Sequence, residues 1–448
     1  MKVTFILPAI GKKPGQHYIR TWQTMEPLTI STLKALTPGH VETEFFDDRI
    51  ELVDYETTTD LVAISVEIYT ARRAYMIAAR FRARGVLVIL GGYHTTLNPE
   101  EAAEHADSIL TGNAEGVWAG ILDDLATGTL QARYRGGPEF KDVLPDRSIF
   151  AGKKYSKMGV VETGRGCNFG CEFCAITAFH KARYYRKTVE QVVADVKHAR
   201  DAGKTIFFFA DDNIVADQNY AIELFQALTP LKIQWTGQGT LTMARNDELL
   251  YWMAKSGCKV ILIGYESLSE ANLKQMNKAW SAKLGEVDHL TEKIHKVGMN
   301  IYATFVFGFD DDSRELYDRT VDFALKHRFY FAAFNHLLTL PGTDIYSRLL
   351  SEGKIIQDKW WLSPDYRYGD ITFTHPTFTP QQLTAECRRA RKRFYSLPNI
   401  FLRSGAALRR SKSLWLYGLY WYLNLKLQEE VDGKLGLPMG DGLDEMPK

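Results

Sequence analysis

Along the first 140 residues, short apolar runs alternate with stretches of helical spacing. Val3 to Leu7, Val41 to Phe46, Leu61 to Val66, Val86 to Leu90 and Ser108-Ile109-Leu110 read as strands. The runs from Leu61 and Val86 are continuous, as expected of strands buried on both faces. Ala71 to Arg84 has helical spacing with arginines on one side, and Gly116 to Ala126 reads as another helix. The alternation predicts a doubly wound, Rossmann-like α/β domain with a parallel sheet. Ligands of such sheets bind at the carboxyl ends of the strands. Those ends are Ser65, Gly91-Gly92-Tyr93-His94 and Gly112-Asn113-Ala114-Glu115. Adjacent glycines let a backbone approach a ligand closely; a plain turn explains the pair equally well.

A second α/β stretch follows a Gly- and Pro-containing segment, 137–150, that reads as a crossing between domains. Gly159 to Val161, Thr205 to Phe209, Lys232 to Thr236, Val260 to Ile263, Asn300 to Phe307 and Phe331 to Leu338 read as strands. Helices are expected at Thr188–Asp201 (Thr188 as cap), Tyr220–Leu228, Asp247–Lys255 and Leu284–Val297. Six such units predict a partial TIM-type barrel, whose chemistry lies at the carboxyl ends of its strands. Polar residues collect there: Asp211-Asp212-Asn213, Gln238, Glu266-Ser267, and Asp310-Asp311-Asp312 after Phe307-Gly308. Each acid taken singly also reads as a helix cap or a solvated loop.

The remainder is mostly helical. Thr379 and Pro380 start a helix as cap and first residue. It carries Arg388, Arg389, Arg391, Lys392 and Arg393, which read as a solvated face or an anion contact. Residues 414–427 carry Leu414, Trp415, Tyr417, Leu419, Tyr420, Trp421, Leu423 and Leu427 behind Arg409, Arg410 and Lys412. Such a helix packs on its own barrel or lies on a membrane surface. From Gly433 onward the chain reads as a disordered tail. The expected domains are 1–140, a linker at 141–150, 151–345, and 346–448.

Composition narrows the class. The 448 residues are 45% hydrophobic and 24% charged, as in an ordinary globular protein of several domains. A net charge of +1 gives no global reason to expect nucleic acid. No apolar run approaches the roughly 18 residues of a spanning helix, and no signal peptide is visible at Met1. Five cysteines, three of them clustered, fit a reducing cytoplasm and a metal site rather than a disulfide framework.

Those three cysteines are Cys167, Cys171 and Cys174, in C-x3-C-x2-C spacing. Thiolates suit iron–sulfur clusters or zinc, and a closed site of either kind takes four protein ligands. Cys258 and Cys387 are remote; His180 completes a zinc set in the competing reading. Three thiolates on a four-iron cluster leave one iron open. With Phe173 directly before the third cysteine, the motif resembles the signature of the radical S-adenosylmethionine (SAM) superfamily. That resemblance implies a [4Fe-4S] cluster on Cys167, Cys171 and Cys174. It implies SAM contacts from Phe173, Asp211, Asp212, Asn213, Gln238, Glu266, Ser267, Phe307 and Gly308. It also implies a reducing donor of flavodoxin or ferredoxin type.

The first domain resembles the cobalamin-binding domains that precede many radical SAM enzymes. Ser65, the Gly91-Gly92-Tyr93-His94 turn and Pro99-Glu100-Glu101 carry the likeness, which implies cobalamin contacts from Ser65, Gly91, Gly92, Tyr93, His94, Gly112 and Glu115. The family's histidine-bearing loop falls near Asp47-Asp48-Arg49, with arginine where histidine would be, so cobalt ligation from that loop is not expected. His94 is expected to be structural or to contact the cofactor's tail. The resemblance implies a 5′-deoxyadenosyl radical and methylcobalamin acting together to methylate an unactivated carbon of a small-molecule intermediate. Two alternatives stay open: a cobalamin radical SAM enzyme with non-methylating chemistry (ring formation, ring contraction or another transfer), and an iron–sulfur electron-transfer or regulatory protein.

Overall fold

The computed structural model describes residues 1–12, 24–138, 143–281, 284–433 and 435–444. Six strands form the first sheet: β1 (Lys2–Leu7), β2 (Glu42–Asp47), β3 (Leu61–Ser65), β4 (Leu87–Gly91), β5 (Ser108–Thr111) and β6 (Arg133–Arg135). All pair in parallel, in the order β2-β1-β3-β4-β5-β6. Sequential order therefore reverses between β1 and β3, which opens a crevice at their carboxyl ends. Val62, Ile64, Val88 and Leu90 face one hydrophobic cluster; Val3, Phe5, Leu61, Ala63 and Ile89 face the other. This two-sided burial is the reason the runs are continuously apolar. The sixth strand carries no apolar run: Arg133 and Arg135 are exposed at the sheet edge, and period-based reading passes over it.

The second sheet is built from β7 (Met158–Val161). A short antiparallel hairpin follows, β8 (Gly164–Gly166) with β9 (Tyr184–Arg186). Then come β10 (Ile206–Phe209), β11 (Gln234–Gly239), β12 (Cys258–Glu266), β13 (Asn300–Phe307) and β14 (Phe331–His336). Six strands run parallel in the order β7-β10-β11-β12-β13-β14, an open arc of barrel strands. Helix Val189–Asp201 begins in a capping box between Thr188 and Gln191. Cys258 and Cys387 are buried thiols in this core.

Of the segment expected as a linker, 139–142 lie outside the described residues. Its far end is packed: Arg147 reaches Asp195 at 2.8 Å and the Val160 carbonyl at 2.8 Å, and Phe150 lies edge-on to Phe45.

The C-terminal region departs from expectation. Trp360, Trp361, Tyr366 and Met439 join the hydrophobic cluster of the first sheet. The stretch 435–444, expected as disordered tail, is a packed strap. Met439 is fully buried, its carbonyl accepts from Arg72, and Asp444 pairs with Arg73 at 2.9 Å. Its Gly and Asp content comes from turns and ion pairs, not from disorder. Residues 445–448 lie outside the described residues.

Glu101 joins the strands to this region. One carboxylate oxygen accepts from Trp361 Nε1 (3.0 Å), Tyr75 OH (3.1 Å) and His94 Nε2 (3.0 Å). Burial raises its pKa, but these donors outweigh it and hold the carboxyl down at about 2. Glu101→Leu strands three buried donors and is expected to cost about 3 kcal/mol or more, read as a lowered unfolding midpoint. Because the folded pKa lies below the ordinary 4.5, the wild-type contribution is present above that pH and is lost as pH falls from 4.5 towards 2. A scan of midpoint against pH should show the variant and wild type converging over that range.

Candidate functional site

The carboxyl ends of the two sheets face each other across a cavity of about 490 Å³. The first sheet contributes Ser65, Glu67, Gly91, Gly92, Tyr93, Gly112 and Glu115. The second contributes Glu162, Arg165, Ile176, Phe179, His180 and Asp212. Gly92 has φ +100°, and a Cβ there would lie 2.8 Å from the Val66 carbonyl oxygen. Its glycine is required by the turn itself rather than by a ligand. Gly91, by contrast, could carry a Cβ in ordinary contact, its nearest neighbour being the Leu110 carbonyl oxygen at 3.7 Å.

Tyr93 crosses the seam, packing on Phe179 with centroids 4.6 Å apart and approaching His180 Nε2 at 3.5 Å. His180 therefore turns to the first sheet rather than to the cysteines. Its burial, with Arg165 nearby, pushes its pKa down to about 4, so it stays neutral near pH 7. Arg165 bridges the halves: it meets Glu115 at 2.7 Å and Glu162 at 2.8 Å. Burial pushes Asp212 up to about 6 and Glu67 up to about 7.

The cysteine loop leaves β8 at Gly166, whose φ of +88° admits the chain beside the Arg183 carbonyl. Cys174 holds the N-cap position of helix Ala175–His180, where the backbone N–H groups of Ile176 and Thr177 favour its thiolate. Asn213 Nδ2 lies 3.6 Å from Cys167 Sγ. The Lys278 ammonium, paired with Glu266 at 2.8 Å, faces Cys171. Burial raises all three thiols, Cys171 to about 12, and each has a donor or cation that favours its thiolate. The set therefore suits an anionic sulfur cluster. Among the described residues no three His, Cys, Asp or Glu are grouped to hold a metal ion. Ligands of a multi-iron cluster stand wider apart than those of one ion.

Segment 276–280 clamps this loop from above. Trp280 stacks on Phe169 at 3.4 Å and 2°, Asn277 donates to the Gly170 carbonyl at 2.6 Å, and Glu172 N donates to the Met276 carbonyl at 3.2 Å. Phe173 meets Phe309 edge-on at 6.3 Å.

Of the residues expected at SAM, Asp212 lines the cavity and donates nothing: it accepts from Gly166 N at 2.8 Å. Asn213 and, through Lys278, Glu266 lie beside the cysteine loop. Asp211 corrects the expectation. It is fully buried, and both oxygens accept from Thr163, so it ties β10 to the chain after β7. Ser267 Oγ accepts from Ser269 N, and Phe307 is buried against Tyr317. The Gly308 N–H donates to Asp312, which also accepts from Tyr317 OH. Gln238, the penultimate residue of β11, is half-buried, its carbonyl accepting from Ile214 N at 2.9 Å.

Among the residues expected at cobalamin, His94 Nε2 is engaged by Glu101 and Tyr75, and its Nδ1 lies 3.4 Å from Asn98 Nδ2, so both nitrogens have partners. Arg49 doubles back on Asp47 at 2.7 and 2.8 Å. The sequence reading missed Glu67, Glu162, Arg165, Phe179 and Lys278. The only available sign for Arg165 was its place two residues before Cys167.

The radical SAM superfamily profile matches residues 161–324. Over 411 residues the chain is 28% identical to bacteriochlorophyllide d C-12(1)-methyltransferase of Chlorobaculum tepidum, covering 89% of this chain and 87% of that protein. It is 30% identical over 355 residues to the C-8(2)-methyltransferase of the same organism, covering 74% of this chain and 78% of that one. The chain belongs to the radical SAM methyltransferases. The fold of this radical SAM methyltransferase is shared with TsrM of Kitasatospora setae, a structure determined with cobalamin and a [4Fe-4S] cluster bound. The TM-score is 0.72 at 14% identity, over 96% of this chain and 99% of that one.

The clamp generates a prediction for the methyltransferase free of metal. Removing the Phe169 stack by Trp280→Ala should raise the alkylation rate of Cys171 several-fold, read by peptide mass spectrometry. An unchanged rate would show that the loop holds its shape without the clamp.

Proposed function

We propose that this radical SAM methyltransferase is cobalamin-dependent and methylates a carbon of a small-molecule biosynthetic intermediate. The observation that carries this reading is the cavity lined jointly by the carboxyl ends of the first sheet and by the chain flanking the cysteine loop. The cluster would supply the electron that splits SAM, and cobalamin would carry the methyl group.

Cys167, Cys171 and Cys174 hold the cluster, with Asn213 and the N–H groups of Ile176 and Thr177 favouring the thiolates. Lys278 offsets negative charge beside Cys171 and fixes Glu266, whose left-handed φ of +61° turns the end of β12 towards the cysteine loop. Asp212, Glu266 and Ser267 are the residues we assign to SAM, with Gln238, Phe173 and Gly308 shaping the surround. Ser65, Gly91, Tyr93, Gly112 and Glu115 wall the cobalamin side; Gly92 and His94 support that wall from behind. Burial of these walls excludes water from a reactive centre, and fixed side chains orient what binds there.

The relatives are named for methylating bacteriochlorophyllide d, so that compound is the first substrate to assay. The protein is reconstituted without oxygen with iron, sulfide and hydroxocobalamin, then given SAM and reductant. A product heavier by one methylene and two SAM consumed per product would support methylation. Deoxyadenosine without methyl gain would point to other radical chemistry. Cys171→Ala is expected to lose the bound iron; normal iron content would overturn the ligand assignment. Ser65→Trp, which fills the cavity wall, is expected to lose cobalt and keep iron. Because Arg49 stands where the loop at Asp47 would carry histidine and both His94 nitrogens are engaged, neither place supplies an imidazole to bound Co(II); nitrogen splitting in its paramagnetic resonance spectrum that survives His180→Phe would overturn this.

A further inference from the structure

The last two long helices, Leu397–Ser411 and Leu414–Gly433, form a hairpin at the end of the barrel opposite the cavity. Its inner face is anchored there. Tyr330, just before β14, donates to the Leu416 carbonyl at 2.7 Å, Tyr420 donates to the Ile400 carbonyl at 2.7 Å, and Asn424 is fully buried. Its outer face is apolar and open. Phe401 is 71% exposed, Leu414 80% and Trp415 55%, with Leu397 and Leu402 also more than half exposed. Phe401 lies beside Trp421 with centroids 6.5 Å apart, so the outer faces of the two helices are continuous.

Charge identifies the occupant. From Cys387 to Gln428 the sequence holds no aspartate or glutamate. Arg409 and Lys412 are exposed at the hairpin's turn, and Arg328 is exposed next to it, its carbonyl accepting from Arg410 at 2.9 Å. Large apolar and aromatic side chains flanked by cations, with no acid among them, match the interface of an anionic bilayer. Two-fold pairing of this face with a second copy would set the cations of the turn against the acid-free stretch 387–428, because the hairpin's first carboxylates, Glu429 and Glu430, lie at the far end of its second helix. No helix among the described residues is long and apolar enough to cross a membrane, so the contact is peripheral.

We propose that the hairpin of helices 397–411 and 414–433 docks this protein on an anionic lipid surface, through Phe401, Leu414 and Trp415 with Arg409 and Lys412 beside them. Docked this way, the cavity opens on the side away from the lipid.

Flotation of the full chain with vesicles tests this, using phosphatidylcholine alone and an equal mixture with phosphatidylglycerol. Binding to the mixture should be about tenfold tighter and should weaken with salt. The Phe401→Ser/Trp415→Ser and Arg409→Gln/Lys412→Gln doubles should each lose about tenfold, with unchanged unfolding midpoints because all four side chains are exposed. Brominated lipid should quench wild-type fluorescence more than that of Trp415→Phe. Wild type that stays with the soluble fraction in both lipids, or doubles that float like wild type, would overturn the proposal. So would a dimer by light scattering that the serine double dissociates without any lipid binding.

Discussion

The guanidinium of Arg165 sits where two rows of acids converge. The functional loops leave the carboxyl ends of parallel strands, except the cysteine loop, which leaves the short hairpin strand β8 just beyond β7, and here the two sets of ends are face to face. Glu67 and Glu115 come from one side, Glu162 and Asp212 from the other. Burial works against the Arg165 charge, yet Glu162 and Glu115 outweigh it and raise its pKa. Without that cation the seam would bring unpaired carboxylates together in a low dielectric, which is among the costliest arrangements a protein can hold. The position of Arg165, two residues before Cys167, places this compensation at the root of the cysteine loop, so charge balance at the seam and the placement of the thiols are one constraint.

A second cation repeats the logic deeper in the barrel. Lys278 is buried beside Cys171 and paired with Glu266. The same short segment supplies Asn277 and Trp280 to the loop. The cysteine loop is thus held by stacking, by a backbone hydrogen bond and by charge, all from residues more than 100 positions away.

Much of this was legible in the chain. Both parallel sheets follow from continuous apolar runs between helical stretches, and the cysteine spacing marked the loop that meets the first sheet. What stayed hidden has physical reasons. β6 has no apolar period because it is an edge strand whose arginines face solvent. Asp211 and Asp212 are adjacent and chemically identical, yet one turns inward to Thr163 and the other lines the cavity; a strand end alternates its side chains, and the sequence does not say which way it starts. Arg165, Lys278 and Glu67 act through distant partners that no local pattern names. The segment 435–444 looked unstructured because its turns are rich in Gly and Asp, the composition of a disordered tail and of a tightly turned strap alike.

That strap changes the mechanics of the molecule. The chain passes from the first sheet to the barrel before Met158, returns with Trp360 and Trp361, goes back, and returns again with Met439. A joint crossed once is a hinge; this one is stitched several times, and parting the halves would have to break the Trp361–Glu101 bond and unseat Met439. Loading and exchange of anything broad at the seam therefore fall to the loops around its rim, while the two sheets keep a fixed spacing.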